Sequence, residues 1–313
     1  MIYESIRAKT LGCFFHREDE DLKQPVFQGA CTAMITPFTE DGIDFERMGK
    51  LLDYQAENGI AAVVIAGTTG EAATLRSEEY EALVEFSAAR CAGRMKVIAG
   101  VGGNDTAVCL QKARFAARAG ADAALMTPPY YNKTTNDGMI AHFLRVAEGA
   151  DIPLIAYNVP SRTAIGIPAE VYKALARHPN VNGVKEASGD FSLIAEVIAA
   201  CGEDLNVWSG NDDHTLAMAA LGAKGVVSVA SNLFPAAVAE LCALCLEEKF
   251  AEARALQNRY EPLFRTLFIE TNPIPVKAAM ALRGLDSGRL RLPLVDISDK
   301  HKAALITCLE TLK

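Results

Sequence analysis

A lysine closes one of the short apolar runs of the chain. Lys185 follows the run 181–184, so it lies where a buried strand should end in a loop. Removing an ammonium group from water costs on the order of several kcal/mol, so a buried lysine generally has a partner or a chemical purpose. A desolvated lysine has a lowered pKa and adds to ketones as a Schiff base. Lys185 is therefore a candidate nucleophile, and an ordinary strand-end lysine turned to solvent is the alternative.

The segment 67–70 (GTTG) is a candidate site for an anionic group. It follows an apolar run and leads into a helix, so its backbone N–H groups can hold an anion, for which a carboxylate is the favoured candidate. The hydroxyls of Thr68 and Thr69 would add donors. Glycine turns between a strand and a helix are common, so a purely structural turn is the alternative.

Two tyrosines and an arginine also follow apolar runs. Tyr131 and Tyr157 would lie, like Lys185, at the carboxyl ends of the strands. Phenols beside a Schiff-base lysine can transfer the protons that imine formation and release require. Core tyrosines with a solvated hydroxyl are the alternative. Arg162 follows Pro160, which should keep the loop from continuing as a helix, and its planar guanidinium suits a second carboxylate. A surface ion pair is the alternative for Arg162.

The sequence offers no metal or nucleotide motif. The five histidines form no HxxxH or HExxH pattern, and Asp212 with Asp213 is expected to cap the next helix. Cys242 and Cys245 lie in a helix-like run without a second pair, and the run 100–105 lacks the third glycine of a dinucleotide fingerprint. We therefore expect no metal and no cofactor.

The elements that position these residues are short strands rich in Val, Ile, Ala and Met, which alternate with helical patterns as in βαβ units. The predicted strands are 30–35, 61–66, 96–101, 122–127, 153–157, 181–185, 205–209 and 224–228. Eight such repeats, each apolar enough to be covered on its outer face, favour an α/β fold of the closed (β/α)8 TIM barrel type. Active sites in such barrels lie at the carboxyl ends of the strands, where the candidate residues would converge.

Helices flank the strands and continue after the eighth. Ser77 is predicted to cap the helix that follows it. After the last strand, helices are predicted at 236–248, 250–268, 275–283 and 298–312. We expect three regions: a polar, mobile N-terminal extension (1–25), the barrel (26–235) and an α-helical C-terminal addition (236–313).

Lys277 is a rival candidate for the nucleophile. It lies in the first turn of the predicted helix 275–283, outside the barrel. An exposed lysine is ordinary at such a place, so we expect Lys277 to face solvent.

Composition excludes some classes of partner. The net charge of -8 and the pI of about 5.3 argue against nucleic acid and anionic membranes, because both need clustered Lys and Arg. No apolar run approaches the roughly 18 residues that span a bilayer. The eight scattered cysteines suit reduced thiols in a cytosol. We therefore expect a cytoplasmic protein with small-molecule partners, and with no nucleic acid or membrane partner.

Six motifs together give the chain a family resemblance. They are GTTGE at 67–71, TPPYYN at 127–132, YNVPSRT at 157–163, GVKEASGD at 183–190, SGND at 209–212 and TNPIPVKAA at 271–279. Over residues 26–312 the chain resembles the class I pyruvate-dependent aldolase and lyase superfamily and, within it, the 4-hydroxy-tetrahydrodipicolinate (dihydrodipicolinate) synthase family. The resemblance implies a homotetrameric barrel enzyme that condenses pyruvate with aspartate 4-semialdehyde in lysine and diaminopimelate biosynthesis.

The resemblance also implies catalytic roles. Lys185 would form the imine with pyruvate, and Tyr157, Thr69 and Tyr131 would form a proton relay. By the same matching, Tyr131 would reach across a tight-dimer interface into the neighbouring site.

The remaining implied residues bind substrate. Thr68 and Thr69 would hold the pyruvate carboxylate, and the region of the Gly210 and Val227 carbonyls would line the pocket. Arg162 would receive the carboxylate of the semialdehyde, and relatives that act on sialic acid or sugar acids usually lack the PSR sequence that contains it. Two alternatives stay open: a related lyase of the hydroxy-oxoglutarate or N-acetylneuraminate type, and a catalytically silent barrel that senses pyruvate or an amino acid.

The chain departs from the family where some members bind inhibitory lysine. Those members use histidines and a glutamate at the dimer interface, whereas Ser77, Tyr80 and Val108 stand at the matching places here. Asn104 and Tyr130 are retained. We therefore expect lysine feedback to be weak or absent.

Overall fold

The structure is a computed structural model that describes residues 23–312. Residues 1–22 of the predicted polar extension, and with them its predicted mobility, lie outside the described residues. Lys23 contacts the barrel, because its ammonium group donates to the carbonyls of Ala176, His178 and Val181 at 2.6, 2.8 and 2.9 Å. These contacts place Lys23 at the amino end of the barrel, opposite the end where the candidate residues lie.

Within residues 23–312, eight parallel strands close into a barrel. Their bounds are β1 Gly29–Ala33, β2 Ala62–Ile65, β3 Lys96–Gly100, β4 Ala123–Met126, β5 Leu154–Asn158, β6 Val181–Glu186, β7 Asn206–Ser209 and β8 Gly225–Ser228. Each strand pairs with the next along the chain, and β8 pairs with β1, where Cys31 is the register partner of Val227. The predicted (β/α)8 barrel is confirmed.

Helices cover the outside of the barrel. Their bounds are α1 Phe45–Glu57, α2 Ser77–Cys91, α3 Thr106–Arg118, α4 Asn136–Gly149, α5 Pro160–Thr163, α6 Ala169–Ala176, α7 Phe191–Cys201, α8 Thr215–Ala220, α9 Pro235–Leu246, α10 Phe250–Thr266, α11 Ile274–Leu282 and α12 Asp299–Thr311. The prediction that Ser77 caps α2 is wrong by one residue. The cap is Arg76, whose N–H donates to the Glu79 carboxylate at 3.0 Å, because a glutamate in the first turn can satisfy that free donor.

Alternating residues along the strands form two apolar layers. Side chains such as Ile98 and Ile155 point into the barrel and pack on one another. The residues between them, such as Val97 and Val184, pack against the surrounding helices. Both faces of the strands are therefore buried, which explains why the strands are near-continuous apolar runs in the sequence.

Helix α9 completes the eighth β/α unit, because it packs on β1 and β8. The boundary predicted at residue 235 separates β8 from this helix, and we propose that the barrel extends to Leu246 instead. Helices α10 to α12 form the C-terminal addition: α10 packs on α8 and α9, and α11 approaches the turn 230–232. Among the helices of residues 23–312, none has both the length and the hydropathy that crossing a membrane requires.

Candidate active site

Lys185 and Tyr157 are register partners on the neighbouring strands β6 and β5. Lys185 is only 6% exposed, and its ammonium nitrogen lies 4.1 Å from the centroid of the Tyr157 ring. The face of an aromatic ring attracts a cation, so this contact holds the lysine side chain in place. The alternative that Lys185 turns to solvent is therefore excluded, and the contact holds its nitrogen at the end of the strand, where a lysine can add to a ketone.

Gly210 adjoins the lysine. A Cβ atom at that position would lie 3.1 Å from Cε of Lys185 and 2.7 Å from Cβ of Ala187, so a side chain there would displace its neighbours. Val227 is 2% exposed and belongs, with Tyr157, to the apolar layer of side chains that point into the barrel. Gly210 therefore leaves space at the lysine, and Val227 contributes its side chain to the barrel interior.

A buried carboxylate connects the ends of β5 and β6. Glu186 is 3% exposed, and its two oxygens accept from the side-chain amide of Asn158 at 3.1 and 3.0 Å. The Tyr172 hydroxyl and the Ser188 N–H donate to it at 2.6 and 2.7 Å. These hydrogen bonds compensate for the loss of water around the carboxylate. Burial, together with the nearby Glu186 charge, raises the pKa of Tyr172, which keeps its hydroxyl a donor.

The turn 67–71 (GTTGE) follows β2 and is held by several hydrogen bonds. The backbone N–H of Glu71 donates to the carbonyl of Thr68 at 3.1 Å, which closes the turn on itself. The hydroxyl of Thr69 is buried and accepts from the side-chain amide of Asn272 at 2.9 Å. The turn therefore presents its donors from a fixed backbone, as a carboxylate-binding site requires.

A cavity of about 500 Å³ opens at the carboxyl ends of the strands. Its lining includes Thr68, Tyr157, Arg162 and Asn272. The guanidinium group of Arg162 donates to the carbonyl of Asn272 at 2.9 Å. The cavity thus places hydroxyl donors and a cation around a volume that is typical of small-molecule sites.

Arg162 lies on a single helical turn, and the prediction that Pro160 prevents a helix there is wrong. Pro160 begins α5, and the N–H of Arg162 donates to the carbonyl of Val159 at 2.9 Å. Proline is well tolerated at the first position of a helix, because the N–H that it lacks would have no helical partner anyway.

Tyr131 does not reach the cavity of its own chain. Its side chain is 93% exposed, and its backbone φ of 68° is uncommon for a residue other than glycine. The neighbouring Tyr130 does line the cavity. Among the predicted polar side chains, Thr68, Tyr157 and Arg162 line the cavity. Lys185 contacts the ring of Tyr157 and Thr69 contacts Asn272, whereas Tyr131 lies apart from them.

The expected exposure of Lys277 is wrong. Its position in the first turn of α11 is as predicted, but the residue is 0% exposed and its ammonium group pairs with Glu71 at 2.6 Å. The loop 285–294 and the turn after β2 cover this face of the helix, which a local helical pattern does not reveal.

The expected capping role of Asp212 is also wrong. One carboxylate oxygen of Asp212 accepts the N–H groups of Val229 and Ala230 at 3.0 and 3.1 Å, so it holds the turn after β8. Burial raises the pKa of Asp212, and its hydrogen bonds oppose that shift.

Three polar residues of the site were missed by the sequence analysis. Asn158, Glu186 and Asn272 each lie inside one of the motifs, and Asn158 and Glu186 directly follow the predicted site residues Tyr157 and Lys185. For Asn158 and Glu186 the signal is a polar residue that follows a predicted site residue, and therefore lies on the opposite face of a buried strand. No such signal marks Asn272, which lies between α10 and α11.

Known proteins resemble the chain over nearly its whole length. A model of the dihydrodipicolinate synthetase family matches residues 26–312. The 4-hydroxy-tetrahydrodipicolinate synthase of Thermoanaerobacter sp. (strain X514) is 47% identical over 278 residues, which cover 88% of this chain and 94% of that protein.

Solved structures agree with the sequence relatives. The crystal structure of dihydrodipicolinate synthase from Aquifex aeolicus is 44% identical and superposes with a TM-score of 0.90, over 91% of this chain and 98% of that chain. A structure described as the first monomeric dihydrodipicolinate synthase variant is 38% identical, with a TM-score of 0.89, over 92% of this chain and 97% of that one.

Proposed function

This chain belongs to the dihydrodipicolinate synthetase family, and we propose that it condenses pyruvate with L-aspartate 4-semialdehyde to 4-hydroxy-tetrahydrodipicolinate. It is a lyase of the class I aldolase type, and the reaction belongs to lysine and diaminopimelate biosynthesis. The observation that carries the proposal is the amine of Lys185, buried against the Tyr157 ring at the carboxyl end of the barrel.

The reaction begins at the ketone of pyruvate. The amine of Lys185 attacks the ketone carbon, and loss of water leaves an iminium ion, while Thr68, Thr69 and the N–H groups of their turn bind the carboxylate. The iminium withdraws electrons from the methyl carbon, so a methyl proton leaves and an enamine forms. The protonated imine is itself the electron sink, so this chemistry calls for no metal and no organic cofactor.

The second half of the reaction uses the semialdehyde. Arg162 pairs with its carboxylate, and the enamine carbon attacks its aldehyde carbon to form the new carbon–carbon bond. The aldehyde oxygen takes up a proton through a relay of Tyr157, Thr69 and Tyr131 of the partner subunit. The amine of the bound intermediate then attacks the imine carbon, which closes the ring and releases Lys185.

The position of Tyr131 leads us to propose an oligomer. A tyrosine that is 93% exposed and outside the cavity of its own chain is free to enter a site of another chain, and a two-fold interface would exchange the two tyrosines reciprocally. We propose a homotetramer, assembled as a dimer of dimers, in the cytoplasm. One solved relative is described as monomeric, so assembly varies among such proteins.

The variant Arg162→Ala tests the choice of second substrate. Loss of a charge-assisted contact to a carboxylate should lower kcat/KM for the semialdehyde by roughly a hundredfold, and Arg162→Lys should recover part of it. Pyruvate adduct formation on Lys185 should persist in both variants. Arg283→Ala is a matched control, because Arg283 also donates to a backbone carbonyl, that of Leu233, but lies outside the cavity.

Unchanged turnover of the semialdehyde by Arg162→Ala would contradict the assignment. In that case the favoured second substrate would be an aldehyde that does not depend on Arg162 for binding, and the chain would be one of the related lyases.

A further inference from the structure

A fully buried lysine lies outside the barrel and outside the proposed mechanism. The ammonium group of Lys277 donates to the carbonyls of Thr36 and Arg289 at 2.8 and 2.6 Å, and to the Glu71 carboxylate at 2.6 Å. All three of its protons are therefore used. Burial lowers the pKa of Lys277, and the charge of Glu71 opposes the shift. Because Lys277 has no N–H left to donate to a ligand, we look for its function in the three segments whose acceptors it binds.

Glu71, the partner of this lysine, ends the turn 67–71. It is 4% exposed, and its second carboxylate oxygen accepts the N–H of Arg291 at 3.0 Å. Its backbone φ of 54° is in the left-handed region, which is uncommon for residues other than glycine. Such a conformation persists only where surrounding contacts hold it, and here the ion pair with Lys277 supplies them.

The same turn has a second attachment that also leads to Lys277. The hydroxyl of Thr36 donates to the carbonyl of Gly70 at 2.7 Å, while the carbonyl of Thr36 accepts from Lys277. A Cβ atom at Gly70 would lie 3.1 Å from Thr36 Oγ1, so the two segments pack closely. Lys277 therefore joins the turn 67–71, the segment after β1 and helix α11 into one hydrogen-bonded unit.

The C-terminal addition thus contacts the turn at two places. Asn272 reaches the hydroxyl of Thr69, and Lys277, in the first turn of α11, reaches the carboxylate of Glu71. Lys277 and Glu71 are 206 positions apart in the sequence, so this contact forms only when the C-terminal helices pack on the barrel.

We propose that Lys277 is a positioning residue for pyruvate: through Glu71 it holds the turn 67–71 in the orientation that binds the pyruvate carboxylate. The inference rests on the proposed function, because it requires pyruvate to bind at this turn. Donors held rigidly before the ligand arrives bind an anion without reorganisation. Removing the cation would leave the charge of Glu71 buried without a partner, so the turn would rearrange to reach water.

The test is the pyruvate concentration that gives half-maximal trapping of the Lys185 adduct by borohydride, in the full-length protein. Lys277→Met should raise this concentration by about tenfold or more, and it should leave the adduct at one per chain at saturating pyruvate. KM for the semialdehyde should change far less. Lys277→Arg keeps the charge and should recover part of the affinity for pyruvate.

A second variant covers the possibility that Lys277→Met does not fold. The double variant Lys277→Met with Glu71→Gln removes both buried charges, and it should also raise the half-saturating concentration because the anchor of the turn is lost. Lys23→Met is the matched control: Lys23 likewise donates to three acceptors, but at the amino end of the barrel. It should lower stability and leave pyruvate affinity unchanged.

The two possible failures are distinguishable. A folded single or double variant that reaches half-saturation within twofold of the wild type overturns the positioning role, as does an equal loss in Lys23→Met. A wild type that forms no adduct at any pyruvate concentration overturns the proposed function itself.

Discussion

The side-chain amide of Asn158 lies 3.1 and 3.0 Å from the two carboxylate oxygens of Glu186. Asn158 directly follows Tyr157, and Glu186 directly follows Lys185. The hydrogen-bonded pair therefore links the ends of β5 and β6, which carry Tyr157 and the proposed nucleophile Lys185. Successive side chains on a strand point to opposite faces, so this contact can fix the spacing of Tyr157 and Lys185 without entering the cavity.

Asn158→Ala should therefore weaken both stability and catalysis. The variant removes a hydrogen-bond donor from a buried carboxylate, so the free energy of unfolding should fall by about 2 kcal/mol. The spacing of Tyr157 and Lys185 would also relax, and kcat should fall by roughly tenfold or more. Urea unfolding and steady-state kinetics measure the two effects.

The control for this prediction is Asn180→Ala. Asn180 donates to the carbonyls of Ala147 and Ala150, near the amino end of the barrel. The Asn180→Ala variant should be less stable than the wild type, but its folded form should keep the wild-type kcat. An equal fall of kcat in both variants would show that the Asn158–Glu186 contact has no special effect on the site.

The exposed Tyr131 predicts that two inactive variants restore activity when mixed. Tyr131→Phe and Lys185→Ala should each be nearly inactive alone. In mixed dimers one of the two sites combines Lys185 of one chain with Tyr131 of the other, so random assembly should restore about a quarter of wild-type activity. The subunits are unfolded and refolded together before the assay, and light scattering reports the oligomer. Activity no higher than the sum of the separate variants would mean that Tyr131 does not act across an interface.

The ion pair of Glu79 with Arg291 predicts a pH-dependent contribution to stability. Hydrogen bonds from Arg291, at 2.5 and 2.8 Å, lower the pKa of Glu79 from 4.5 to about 2. A carboxyl whose pKa is lower in the folded state stabilises the protein above its unfolded pKa, and this contribution is lost as the pH falls toward the folded value. The stability difference between wild type and Glu79→Gln should therefore be constant near neutrality and shrink below about pH 4.5.

Urea unfolding at a series of pH values measures this difference. Glu261→Gln is the control, because Glu261 pairs with Arg265 at the surface and should contribute little at any pH. A difference for Glu79→Gln that stays constant down to the acid limit of folding would contradict the assigned pKa shift.

Feedback inhibition by lysine should be weak or absent. A lysine ligand carries two ammonium groups and a carboxylate, but Val108 is an exposed apolar side chain, and Tyr80 is 3% exposed with the ammonium group of Lys112 over its ring at 5.0 Å. The side chain of Val108 offers the ligand no hydrogen-bond partner, and the ammonium group of Lys112 would repel the ligand's own ammonium groups. Steady-state rates in millimolar lysine should match those in an equal concentration of sodium chloride. Inhibition by submillimolar lysine would refute this expectation.

The barrel could be predicted because its sequence signals are local. Eight apolar runs separated by helical patterns define the strands, and the polar residue that follows each run lies at the carboxyl end of the barrel by topology alone. Lys185, Tyr157 and Arg162 were identified in this way, and the structure places all three at that end.

Two of the errors, those at Lys277 and Asp212, concern contacts between distant segments. Lys277 has the sequence pattern of an exposed lysine on a helix, and only the packing of Glu71, 206 positions away, makes it buried. Asp212 has the pattern of a helix cap, and the turn after β8 takes up its carboxylate instead. No local pattern encodes such partners, because they depend on which loops the closed barrel brings together.

The central claim is that Lys185 forms a Schiff base with pyruvate. The most direct test is the intact mass of the protein after borohydride reduction with pyruvate, for wild type, Lys185→Ala and Lys277→Met. We predict one reduced pyruvate per chain in the wild type, none in Lys185→Ala, and one in Lys277→Met at saturating pyruvate. An adduct that persists in Lys185→Ala, or the absence of any adduct in folded wild type, would contradict the mechanism.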